Sequence, residues 1–274
     1  LVQLRTRARN RLQSLLHRHN LSPPVSKPFA HKHLDWWLSL DLSPSERLRI
    51  SHDLQTLQHV ESQLAAVEHE LARLSTIEPW SDYYPFLVQL PGFGLIVSMT
   101  VLAAIGDISR FPSSKHLVGY SGLGASVHNS GQTHRSGRIT KQGRKDLRWV
   151  LVQAAWAAVR HNSHWKSQFQ RLSRRKPKNK AIVAIARKLL VVVYHVLTEC
   201  ATDRHADPDM VAFKLMLWAW QLDKRMRGGL STPQFVRAGL LRLQMGDDLT
   251  HITRGSTRRP IAPAEEVLAL LSQS

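Results

Sequence analysis

The sequence predicts a mainly α protein, with a long helical coiled-coil arm leading into a compact helical domain. Three features carry that expectation. Between residues 44 and 78 the apolar positions Leu57, Val60, Leu64, Val67, Leu71 and Leu74 are spaced 3, 4, 3, 4, 3, the seam of a heptad repeat, with no Gly or Pro until Pro79. Further along, several segments repeat apolar residues on one helical face. Few stretches anywhere alternate apolar and polar residues as half-buried strands do.

Taken in order, the first element is the Arg-rich, acid-free stretch "LVQLRTRARNRLQSLLHRHNL", with Leu4, Ala8, Leu12 and Leu15 on one helical stripe. Alone it has the character of an organelle transit peptide. The chain starts with Leu rather than Met, so the better expectation is an internal basic helix of a longer protein or a clipped coding sequence. Residues 22–28, "SPPVSKP", break this helix as a linker. "LSPSERLRI" opens the next one, with Ser43 as N-cap, Pro44 at the first helical position and Glu46 three residues after the cap, a capping box. The seam that follows lasts only about three heptads. It fits either a long helix packed on its own domain or an arm that dimerises or holds two domains apart.

Residues 89–111, "QLPGFGLIVSMTVLAAIGDISRF", turn at Pro91-Gly92-Phe93-Gly94 into an apolar helix that Gly106 ends. The pattern is that of a helix-hairpin-helix element. Its glycines, Gly92 and Gly94, let backbone N–H groups approach a phosphate, and the helix N-terminus adds a positive dipole. The same P-G-x-G also starts many helices that bind nothing. A short helix is expected near 113–119, and a strong one over 144–159 with Leu147, Leu151, Ala154, Ala155 and Ala158 on one face. Residues 171–180, "RLSRRKPKNK", form a basic cluster that includes Arg174, Arg175 and Lys176. A buried helix follows. Its apolar run at 181–197 contains Arg187 and Lys188, which argues against a membrane span. Beyond Cys200, "FKLMLWAWQLDKRMRG" and "TPQFVRAGLLRLQMG" read as two more helices, before a polar loop and a short amphipathic helix.

Net charge narrows the partner. A formal charge of +18 and a pI near 10.9 call for an anion. Lys and Arg that neutralise phosphates release counterions, which drives sequence-independent nucleic-acid binding. The basic residues are spread over several segments rather than along one amphipathic helix, so nucleic acid fits better than membrane. With 43% hydrophobic residues a real core can form. Cys200 is the only cysteine, which excludes disulfides and thiolate zinc sites within the chain and fits a reducing cytoplasm. The pairs His17/His19 and His31/His33 lack a metal-ligand pattern, and adjacent Asp247-Asp248 reads as an exposed pair, so no metal site is expected.

Residues 126–148, "SVHNSGQTHRSGRITKQGRKDLR", pose the functional question. They carry six basic residues, Arg135, Arg138, Lys141, Arg144, Lys145 and Arg148, against the single acid Asp146. Ser130-Gly131 stands just before the charges begin. A solvated basic loop and a phosphate-handling surface with a nucleophile at its edge both fit. Ser121, Ser126 and Ser136 are rivals to Ser130, and each also suits a cap or turn.

Taken together, "LPGFG", "IGDISRF", "GYSGL", "HNSGQ", "GRITKQG" and the "LR…AAW" helix, over residues 90–199, resemble the C-terminal transposase domain of insertion-sequence family one-ten. These are the DEDD-type transposases, bridge-RNA-guided serine recombinases. The Arg-rich helix and heptad arm resemble that family's connector and coiled coil. The resemblance implies a connector over 1–82, a serine-bearing transposase domain over 83–200, and a helical extension over 201–274 to which it assigns no role. It places the family's nucleophilic serine on Ser130. It implies DNA and a structured guide RNA as partners and a bacterial cytoplasmic, nucleoid-associated setting without a membrane; the heptad seam adds a second copy through the 44–78 helix, at Leu57, Leu64 and Leu71. Family members also have an N-terminal RNase-H-like domain with metal-binding carboxylates. This chain begins at the connector, so magnesium is expected only with that separate domain. Two functions are then open: the serine half of a transposase, or a nucleic-acid-binding remnant without chemistry.

Overall fold

The computed structural model describes residues 1–130 and 133–272; the side chains of His31, residues 127–130, 133–136 and Arg138 lie outside the described set. Two compact units divide the chain, residues 1–70 and 71–274.

In the first unit, α1 (Val2–Arg18), α2 (Leu34–Leu38) and the beginning of α3 (Pro44–Leu74) enclose a small core. Leu12, Leu15 and Leu16 of α1 meet Trp37, Leu42, Ile50 and Leu54. Phe29 stacks on Trp37 with centroids 5.7 Å apart, and the Trp37 indole N–H donates to Pro28 O at 2.8 Å. The Arg-rich helix is partly neutralised from within. Arg9 pairs with Glu61 at 2.7 Å, and Arg11 with the buried carboxylate of Asp53. His19 meets Glu46 at 2.6 Å, a carboxylate partner that sequence spacing does not reveal. The expected capping box is half made. Ser43 Oγ accepts from the Glu46 N–H at 3.4 Å and donates to Glu46 Oε2 at 2.8 Å.

The heptad seam is divided along its length. Leu57 and Val60 are buried within the first unit, and Leu71 and Leu74 pack against the core of the second. Only Leu64, half-buried, and Val67, 47% exposed, remain open in the middle. The two ends of the seam therefore belong to different units.

The second unit is built from α4 (Trp80–Val88), α5 (Leu95–Ile105), α6 (Ser114–Ser121), a hairpin of β1 (Ala125–Ser130) and β2 (Thr133–Ile139), then α7 (Lys145–His161), α8 (Ser163–Ser173) and α9 (Lys178–Glu199). It continues through α10 (Pro208–Gln221), α11 (Thr232–Arg242), a second hairpin of β3 (His251–Arg254) and β4 (Thr257–Pro260), and α12 (Ala264–Leu271). Alanines make the centre compact. Leu147, Leu151, Ala154, Ala155 and Ala158 of α7 are fully buried against α5 and α9, the face the sequence predicts. Helix α9 is long and apolar enough to cross a membrane, but half of its apolar window is buried in this core.

Residues after 200 share that core. Trp218 packs on Tyr84 (4.5 Å) and Phe235 (4.9 Å), and its indole N–H donates to Ser75 Oγ at 2.8 Å. Gln89 bonds both Ala201 O and the Asp203 N–H. Half-buried Lys214 donates to Val88 O (2.8 Å) and Leu90 O (2.5 Å) at and just beyond the C-terminal end of α4. Burial pushes its ammonium down to about 7, because the charged form loses its hydration. The two hairpins and α8 are additions to the sequence expectation.

Candidate nucleic-acid interface

The basic stretch is folded rather than a loose loop. Strands β1 and β2 pair antiparallel, with Val127 opposite Ser136, His128 opposite Arg135 and Ser130 opposite Thr133. Ser130 thus closes β1 at the hairpin tip; its side chain, like those of Arg135 and Arg138, lies outside the described residues. At about 3.3 Å per residue, the tip stands roughly 16 Å along the strand from Ala125.

The base of this hairpin is held by main-chain bonds. Thr140 N–H donates to Gly124 O (2.9 Å), Lys141 N–H to Gly122 O (3.2 Å) and Arg144 N–H to Tyr120 O (3.1 Å). Gly143 has φ +113°, and a Cβ there would collide with Tyr120 O. Only glycine allows the two segments to close at this point. Below them, the Tyr120 hydroxyl donates to Ala104 O at 3.1 Å, and the Arg110 guanidinium lies 4.8 Å from the Tyr120 ring centroid. Gly122 of "GYSGL", whose Cβ would meet Gln142 O, and Gly143 of "KQG" thereby share a mechanical role.

The structure separates the predicted contact residues. Arg148 is half-buried and donates to Ser121 O at 3.1 Å, so it clamps the hairpin base. Arg144 forks Asp146 at 3.0 and 2.6 Å, which holds the Asp146 carboxyl down at about 2 and raises the Arg144 guanidinium above its ordinary range. A carboxylate already occupies that fork, so its charge is locally compensated. Lys141 is exposed, in a left-handed conformation at φ +58°. Arg174, Arg175 and Lys176 are exposed at the α8–α9 turn.

Helix register brings the two basic clusters to one end. Helices α7 and α8 join through Asn162 and pack against each other, with Trp156 and Phe169 centroids 5.6 Å apart. Counting back equally from the turn sets Arg174–Lys176 level with about residues 148–150 of α7. Trp149, two turns below Trp156 on the same stripe, runs past the end of shorter α8 and is 59% exposed. Sequence reasoning missed Trp149 and Arg110; the seven-residue spacing of Trp149 from Trp156 was the available signal.

Gly92 has a different role from the expected one. A Cβ there would run into the backbone of Ala154 in α7, so its bareness permits helix packing rather than approach to a phosphate. Gly94 is exposed at the N-cap of α5, with nothing within 4 Å of a would-be Cβ, and keeps the open position. Of the rival serines, Ser121 is fully buried and donates to Val118 O at 2.7 Å, which removes it as a nucleophile. The Ser136 side chain lies outside the described residues. No group of three or more His, Cys, Asp or Glu side chains is gathered among the described residues. Asp247 and Asp248 are exposed in a loop.

Residues 84–170 match the model of the Transposase IS116/IS110/IS902 family. The chain is 31% identical over 153 residues to the pilin gene-inverting protein of Moraxella lacunata, covering 54% of this chain and 48% of that protein. It is 33% identical over 122 residues to the transposase for insertion sequence element IS1111A of Coxiella burnetii, covering 42% of this chain and 33% of that protein. An insertion element IS110 protein of Streptomyces coelicolor is 26% identical over 145 residues, covering 53% and 35% of the two chains. The chain is homologous to IS110/IS1111-family transposases and to the related pilin gene-inverting proteins. It spans about half the length of the Moraxella protein and about a third of the other two.

Proposed function

We propose that this chain is the serine-bearing part of an RNA-guided insertion-sequence transposase, which binds DNA and cuts it through a covalent serine–DNA intermediate. The observation that carries this reading is the β1–β2 hairpin. It lies wholly within the family-matched residues, its base is pinned by Gly143 and Arg148, and Ser130 is the last residue of its first strand. In the proposed step Ser130 Oγ attacks the phosphorus of a phosphodiester. The Oγ–P bond forms as the bond from phosphorus to one sugar oxygen breaks; the serine proton goes to a base, and the departing oxygen takes up a proton. The phosphoserine ester retains the bond energy of the broken linkage, so a hydroxyl of another strand can reverse the step.

Charge that builds on the non-bridging oxygens needs cations nearby. Arg135, Arg138 and Lys141 on or beside the hairpin serve there, and Arg174, Arg175 and Lys176 extend the phosphate track. Arg144 and Arg148 act mainly by fixing the base. Metal-binding carboxylates and the guide RNA come from a separate domain and partner in this reading. The exposed middle of α3, at Leu64 and Val67, serves self-association.

A denaturing gel that retains protein–DNA adducts tests the reading. Combined with a carboxylate domain, guide RNA and magnesium, the chain should become attached to cut DNA. Ser130→Ala should abolish attachment and leave binding nearly intact, because one hydroxyl adds little to an interface dominated by phosphate charge. Ser136→Ala should retain attachment. Attachment that survives Ser130→Ala overturns the assignment; binding without attachment in every combination identifies a non-catalytic nucleic-acid-binding remnant instead.

A further inference from the structure

We infer that the groove between α10, the start of α11 and the β3–β4 hairpin is a second nucleic-acid contact, which holds an unpaired stretch of DNA by stacking its bases beside Trp220. The groove lies outside the family-matched residues 84–170 and is distinct from the Ser130 hairpin. Its choice of DNA over RNA rests on the recombination reading above.

The floor is apolar and aromatic. Trp220, in the last turn of α10, is 50% exposed, more than any other large apolar side chain of that helix. Next to it are two adjoining cavities of about 180 and 240 Å³, which share Met216, Trp220, Ile252 and Arg259. The Arg259 guanidinium lies 4.9 Å from the Trp220 centroid, and that of Arg254 lies 4.6 Å from Phe213. Planar cations thus already lie over planar rings along the groove. A base extends such a stack because every base has a π face.

The rim is cationic. Arg254 and Arg259 line the groove from the hairpin, β4 is exposed at every residue, and Arg258, on the alternate face of the strand, meets His251 Nδ1 at 3.3 Å instead. On the α11 side, groove-lining Thr232 is bonded to Arg227 at 2.7 Å, and exposed Lys224 and Arg225 precede Arg227 in the α10–α11 turn. Residues 249–264 contain no acid. Two flanking carboxylates are engaged: Asp223 accepts the Met226 N–H at 2.7 Å, and Glu266 accepts from Gln234 at 2.6 Å. Asp247 and Asp248 sit exposed before β3.

These features select the occupant. An apolar helix would cover Trp220 but strip water from the rim cations without pairing them. An acidic peptide would pair the cations and leave the indole without a partner. In a duplex the base faces are stacked on one another and closed to Trp220. An unpaired DNA strand satisfies both, with phosphates on the rim and bases on the floor.

The test is fluorescence anisotropy with a labelled oligothymidylate of about 20 nucleotides, its oligouridylate counterpart and a duplex of the same length. Trp220→Ala should weaken oligothymidylate binding roughly tenfold and change duplex binding by less than about twofold. Trp220→Phe should recover most of the loss, and thermal melts should show both variants folded. Cross-linking to 5-iododeoxyuridine should map to the Trp220 peptide. Equal weakening of strand and duplex, or no weakening of either, overturns the inference. So does oligouridylate binding tighter than oligothymidylate with the same Trp220 dependence, or polyaspartate competing in a Trp220-dependent way. If Lys141→Gln combined with Arg174→Gln, Arg175→Gln and Lys176→Gln weakens duplex binding while Trp220→Ala does nothing, the groove fails and the recombination reading stands. If the parent binds neither DNA, that reading itself fails.

Discussion

Replacing Gly143 with alanine tests whether the hairpin base is what holds Ser130 in place. The residue sits at φ +113°, outside the regions an L side chain adopts readily, and the new methyl would collide with Tyr120 O. Backbone strain of this kind costs about 1–3 kcal/mol. Relieving the collision requires residues 140–144 to draw back from 120–124. That breaks the Arg144 N–H to Tyr120 O and Lys141 N–H to Gly122 O bonds, worth about 1 kcal/mol each. The local cost is then on the order of 3–5 kcal/mol, which favours the open hairpin by more than about a hundredfold. The packed helices below should be affected much less. Hydrogen exchange read by mass spectrometry should show lost protection over 120–144 and near-parent protection in α7 and α9. Gly124→Ala is the control, because a Cβ there meets nothing within 4 Å and its φ is ordinary. If Gly143→Ala and Gly124→Ala exchange alike, the hairpin base does not work as described.

Three further outcomes follow from the same structure. Lys214→Met leaves Val88 O and Leu90 O without their donor and should cost about 1–3 kcal/mol in denaturant unfolding. Because the folded state lowers the Lys214 ammonium from 10.5 to about 7, the unfolded chain binds more protons between those values; stability of the parent should therefore gain a rising contribution from pH 7 towards 10.5 that the methionine variant lacks. Leu64→Asp with Val67→Asp should lower the sedimenting mass of an α3-mediated assembly, at about 1–3 kcal/mol per buried charge, whereas Leu57→Asp should unfold the first unit because Leu57 is buried there. Changing Arg174, Arg175 and Lys176 together to Gln should flatten the log–log salt dependence of duplex binding by roughly 2–3, at about 0.9 for each phosphate no longer neutralised.

The helices were legible because their signal is burial at a fixed period. Leu147, Leu151, Ala154, Ala155 and Ala158 could be read as one face, and all are buried. The strands were not. "ASVHNS" pairs with "THRSGRI", and "HITR" with "TRRP", in two-stranded ribbons with no apolar face to alternate. Helix α8 was masked because its last turn runs directly into the basic cluster. At the proposed site, family resemblance alone points to Ser130, and charge and position alone point to the arginines. Their separation into clamp and open contact was not legible, because the Arg148 partner is a main-chain oxygen 27 residues away and the same sequence spacing is compatible with open phosphate contacts. Gly92 shows the same limit. Its sequence neighbours suggest a phosphate turn, but its actual neighbour is the backbone of Ala154 in α7.

The central claim is that Ser130 at the hairpin tip is the atom donor to the DNA bond. The most direct measurement is to let the chain react with its carboxylate domain, guide RNA, magnesium and target DNA, digest the DNA with nuclease, and sequence the nucleotide-bearing peptide by mass spectrometry. A nucleotide joined through phosphate to Ser130 is expected. A nucleotide on Ser126, Ser136 or Tyr120, or a cut DNA product with no nucleotide on the protein, contradicts it.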